Sequence, residues 1–75
     1  MPAQVEHLVT MANQIALNFG ERRDVTLASE RTGSHLEKFW TRAMREQLFA
    51  YWQGNGEGLS PAVELLLREG VCNPV

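Results

Sequence analysis

The sequence predicts an all-α protein, and three observations carry that expectation. Apolar residues recur at intervals of three and four along separate stretches, residues of helix-capping type and glycines stand at the ends of those stretches, and the composition is that of a globular chain. The expected architecture is a small three-helix domain over residues 1–75, with helices near 3–19, 34–53 and 60–69. The middle helix is open to a kink near residues 40–41, and residues 71–75 form a C-terminal tail.

The first helix rests on Val5, Leu8, Val9, Ala12, Ile15, Ala16 and Phe19, spaced so that they share one face, with Met11 flanking them. Pro2 suits a first turn, where its missing N–H is not needed, and Glu6 complements the positive end of the helix dipole. Gly20 is a natural stop. Asn13 and Gln14 lie beside the apolar stripe and read as solvated. Residues 21–33, ERRDVTLASERTG, show no clear period and read as a connection. A connection of that length without structure is uncommon, so a short helical turn around Val25 to Ser29 fits, packing Val25 or Leu27 on the core. The mixed charges Glu21, Arg22, Arg23 and Asp24 read as solvated.

The central segment, Ser34 to Trp52, holds five of the six aromatic residues. Ser34 and Glu37 have capping-box spacing, and Leu36, Phe39, Trp40, Ala43, Met44, Leu48 and Tyr51 then form one apolar stripe. Phe49 and Trp52 fall off that stripe and share a sector roughly 80° wide with Lys38, Arg42 and Arg45 on the opposite side. Aromatics interleaved with basic residues on an outward face point to a protein-docking surface, so these five residues are the candidate partner-binding set. Thr41 is also a competent N-cap, and a break there would leave Arg42, Arg45, Phe49 and Trp52 together and remove only Lys38.

Residues 53–58, QGNGEG, end that helix and reverse the chain as a turn or mobile loop; no strand precedes them and no G-K-[ST] follows, so they are not a nucleotide loop. Ser60 as N-cap and Pro61 as first helical residue then open the last helix, whose inner face is Val63, Leu66 and Leu67. Gly70 ends it, with Val71 meeting Leu66 in a Schellman stop. The expected core draws on Leu8, Ala12, Ile15, Phe19, Leu36, Phe39, Trp40, Met44, Leu48, Tyr51, Val63, Leu66 and Leu67.

Composition excludes several function classes. A net charge of −2 and a pI near 5.6 give no electrostatic case for nucleic acid. No run approaches the roughly 18 apolar residues of a membrane span, and the opening residues lack the basic and apolar regions of an export signal. With one cysteine, Cys72, and no such signal, the expected location is the cytoplasm. His7, His35 and Cys72 are each alone, so no catalytic set, metal site or cofactor site is expected. A domain this small usually needs a supplement to its core, and without disulfide or zinc that supplement is a partner or self-association. A helix-turn-helix DNA reader and a self-associating helical structural protein are the competing readings.

Three blocks of the chain, LVTMANQIALNF at 8–19, HLEKFWTRAMREQLFAY at 35–51 and GNGEGLSPAV at 54–63, resemble in order the delta subunit of soluble NAD-dependent formate dehydrogenase. The most specific parts are Met11 to Ile15, His35 with Phe39-Trp40 and Met44-Arg45, and Gly58-Leu59 followed by Pro61. The chain departs from the family's usual pattern in having Thr41-Arg42-Ala43 where Asp-Pro-Arg is frequent, and Ser34 where Asp is frequent. The resemblance implies a small noncatalytic subunit, without a redox group of its own, that supports assembly, stability or molybdenum-cofactor insertion of the large catalytic subunit. That subunit, which holds the molybdenum or tungsten cofactor, is the implied partner.

Overall fold

The computed structural model describes the backbone of residues 2–69 and the side chains of residues 5–69. Among these residues four α-helices follow one another: α1 (Pro2–Asn18), α2 (Val25–Phe39), α3 (Arg42–Gly54) and α4 (Pro61–Arg68). The all-α class is as expected from the apolar spacing. The helix count is not, because the chain between residues 21 and 33 carries most of an additional helix, and the expected kink near 40–41 is a complete break.

α1 buries Leu8, Val9, Ala12 and Ala16 and leans Met11, Ile15 and Phe19 partly onto the same core. It touches each of the other three helices. Gly20, at φ +87°, turns the chain out of α1, while the N–H groups of Gly20 and Glu21 donate to the carbonyls of Leu17 (3.1 Å) and Ala16 (3.2 Å). That left-handed conformation is one a side chain rarely tolerates.

α2 starts at Val25 because Asp24 is its N-cap, with Oδ1 accepting from the Leu27 N–H at 3.0 Å. Ser34 and Glu37 therefore stand exposed within a helix and do not open one. The inward face of α2 is Ala28, Ser29, Thr32, Gly33 and Leu36. Only the last is large and apolar, which is why no hydrophobic period marks this helix. The small face lets α4 approach closely, and α2 makes its most extensive contact there, opposite Ala62, Val63, Leu66 and Leu67. Val25 and Leu27, of which one or the other was expected to pack inward, are both exposed.

At Trp40 the backbone becomes extended, and Thr41 caps α3 by accepting the Met44 N–H on its Oγ1 at 3.2 Å. The apolar stripe is interrupted at this point. Trp40 is 7% exposed and belongs to the core, whereas Phe39, expected there too, is 71% exposed. Leu48 is the fully buried residue of α3, with Met44, Phe49, Tyr51 and Trp52 packed partly against the core.

The glycine-rich segment after α3 is held at several points. Asn55 and Gly56 donate to the Tyr51 carbonyl at 3.0 and 2.9 Å, and the Tyr51 hydroxyl donates to the Glu57 carbonyl at 2.7 Å. Asn13, expected to be solvated, reaches across from α1: its Nδ2 donates to the Gly58 carbonyl at 2.8 Å and its Oδ1 accepts the Ser60 N–H at 3.0 Å. Pro61 opens α4 as expected, but the Ser60 hydroxyl makes no capping bond. The cap comes from Glu21, which is 8% exposed and not solvated; its Oε2 accepts the Ala62 N–H at 2.8 Å. A carboxylate there satisfies an orphan donor and opposes the helix dipole. The expected stop at Gly70 and Val71 lies outside the described residues.

Two stability outcomes follow from this packing. Glu21→Ala leaves the buried Ala62 N–H without an acceptor and should cost about 1–3 kcal/mol in urea denaturation, with Glu21→Gln, which keeps an acceptor, losing less. Thr32→Val should behave in the opposite way: the Thr32 Oγ1 is buried without a hydrogen-bond partner, so a methyl group in its place should match or exceed wild-type stability, by up to about 1 kcal/mol.

Candidate functional site

The five residues expected to form a docking face come from two helices. Arg42, Arg45, Phe49 and Trp52 recur along α3 at intervals of three and four and share one flank of it. Lys38 lies on α2, on the far side of the break, and leaves the set. On the α3 flank the rings of Phe49 and Trp52 lie 5.7 Å apart, tilted by 42°. Neither stands clear of the protein, since both are half-buried and lean on the core. Trp52 also backs the glycine segment: a Cβ on Gly56, whose φ is +70°, would come within 3.3 Å of Trp52 Cδ1. Arg42 pairs with Glu46 at 3.2 Å, both well exposed, a pair of the solvent-screened kind that contributes little. Arg45 differs. Its Nε is shielded from solvent and has no hydrogen-bond partner among the described residues.

A second surface, absent from the sequence reading, forms where α1 turns into α2. In the elbow Glu21 points inward while Arg22 and Arg23 are exposed. Along α2, Leu27, Arg31, Ser34 and Lys38 are exposed on the side away from α4. His35 sits between two aromatics, 6.0 Å from the Phe19 ring edge-on and 4.7 Å from Phe39. Two shallow hollows result, one in the elbow and one beside His35, and Phe19 and Arg31 line both. The signal for this surface was available only to a reader who already knew that residues 25–39 are helical, because Leu27, Arg31 and Lys38 align only at helical spacing.

Among the described residues no three His, Cys, Asp or Glu side chains gather closely enough to hold a metal ion. No helix there is long and apolar enough to cross a membrane.

The two surfaces should respond differently to truncation. Phe39→Ala should leave the thermal midpoint nearly unchanged, within the roughly 0.5 kcal/mol typical of surface substitutions, because the ring is mostly in water. Trp52→Ala and Gly56→Ala should each lower it, the first by removing packing and the second by straining a positive φ against the indole. Differential scanning fluorimetry of the three variants checks this.

Comparison with known families gives a match to the sequence model of the NADH-dependent formate dehydrogenase delta subunit FdsD over residues 7–65. Neither the curated proteins nor the solved structures give a significant match. The matched span takes in the capping residue Glu21, Asn13 with the Gly58 to Ser60 segment it binds, and both candidate surfaces. The chain belongs to the NADH-dependent formate dehydrogenase delta subunit family.

Proposed function

We propose that the chain is a noncatalytic accessory subunit of an NAD-dependent formate dehydrogenase, acting in the cytoplasm on the large catalytic subunit. It supports that subunit's assembly, stability or acquisition of the molybdenum cofactor. The family match over residues 7–65 is the observation that carries this reading. The α3 flank supplies a docking face for it: Arg42 and Arg45 beside the half-buried Phe49 and Trp52 give the aromatic and arginine composition common at the centre of protein interfaces.

Co-expression with the large catalytic subunit tests the reading. A tag on this chain should recover the large subunit, and catalytic subunit made without the chain should contain less molybdenum by mass spectrometry of the metal. The α3 face is tested by Arg42→Glu with Arg45→Glu, which spare the apolar core. The variant should keep its helical circular dichroism and lose the large subunit. Recovery equal to wild type removes the face from the proposal, and failure of the wild type to recover the large subunit removes the proposal itself.

A further inference from the structure

We infer that the groove over the α1–α2 elbow and the outward side of α2 is a second docking site, and that its occupant is an acidic segment of the large catalytic subunit that carries apolar side chains between its carboxylates. The inference rests on the accessory-subunit reading and adds the chemistry of what is bound. Three of the four large hydrophobic residues exposed among the described residues, Leu17, Leu27 and Phe39, line this groove together with Phe19. Because Phe19 and Arg31 line both hollows, the two adjoin and together form the groove. It follows α2 from Asp24 to Phe39, about 20 Å at helical rise, a length that suits a short peptide segment and exceeds a single small ion.

The charge of the groove identifies the occupant. Four of the chain's seven Lys and Arg line it, namely Arg22, Arg23, Arg31 and Lys38, in a protein of net charge −2. The one carboxylate on its wall, Asp24, is engaged by the Leu27 N–H at the start of α2. The two ion pairs among the described residues, Arg42 with Glu46 and Arg68 with Glu64, lie elsewhere, so none of these four cations has a carboxylate partner there. A cationic rim around an apolar floor fits carboxylates that flank Leu, Ile or Phe anchors. A second copy of this chain docking symmetrically through the same face would set the same cations against one another. A nucleic acid would satisfy the cations but leave the aliphatic floor without a partner.

The test uses the full chain co-expressed with the formate dehydrogenase large subunit. Arg22→Glu combined with Arg31→Glu, both exposed and so compatible with the fold, should reduce the recovered large subunit at least about tenfold, the loss expected from inverting two complementary contacts. Arg68→Glu, which reverses an exposed charge on α4, should change recovery little. A photo-crosslinking residue in place of Leu27 should attach to a stretch of the large subunit rich in Asp or Glu with neighbouring apolar residues. Wild-type-like recovery by the double variant overturns the inference while leaving the accessory-subunit reading intact. So does a crosslink to a second copy of this chain or to a stretch without carboxylates, or retention of a labelled oligonucleotide that the double variant loses. If the wild type recovers no large subunit, both fall together.

Discussion

The N-terminus of α4 is the point on which the fold depends. α4 runs from Pro61 to Arg68, too short to persist as an isolated helix, so its helicity must come from what it packs on. Its first turn presents amide donors within the protein, where water cannot serve them. Glu21, delivered from the elbow between α1 and α2, takes the Ala62 N–H, and Asn13 of α1 holds the chain at Gly58 and Ser60 just before the helix. With that end fixed, Val63, Leu66 and Leu67 are aimed at the flat side of α2 and complete the core.

This arrangement explains which parts were readable from sequence. α1 and α4 bury large apolar residues at regular spacing, and that spacing is a local property. The N-cap at Thr41 was readable too, since it depends on residues within one turn. α2 was not, because its buried side is Ala28, Ser29, Thr32 and Gly33, whose contribution is closeness of approach and not hydrophobic area. Treating the chain as helical from Ser34 made Phe39 appear to continue the stripe into Met44 and Leu48, whereas the break at Trp40 and Thr41 rotates the two parts out of register. The roles of Glu21 and Asn13 join residues more than forty positions apart, and no window of the sequence contains both partners.

The candidate docking residues show the same division. Arg42, Arg45, Phe49 and Trp52 share a flank because they lie on one uninterrupted helix, and spacing alone placed them together. How far Phe49 and Trp52 sink toward the core depended on tertiary packing, as did the position of Lys38 beside His35 and Phe39. The elbow sorts neighbouring charges by direction, with Glu21 turned in to the helix end while Arg22 and Arg23 are left in water. In sequence these residues read only as a mixed cluster, and their division of labour comes from the turn at Gly20.

The small-residue side of α2 also determines where the protein resists change. A scan that trims side chains to alanine registers little at Ala28 and Ser29, because there is almost nothing to remove. Sensitivity at such positions lies in enlargement, since a longer side chain at Ser29 or Gly33 has to displace a neighbouring element against a core that is already filled. Natural variation at Ala28, Ser29 and Gly33 should therefore be bounded by an upper limit on side-chain volume, and a single added methylene there should be felt.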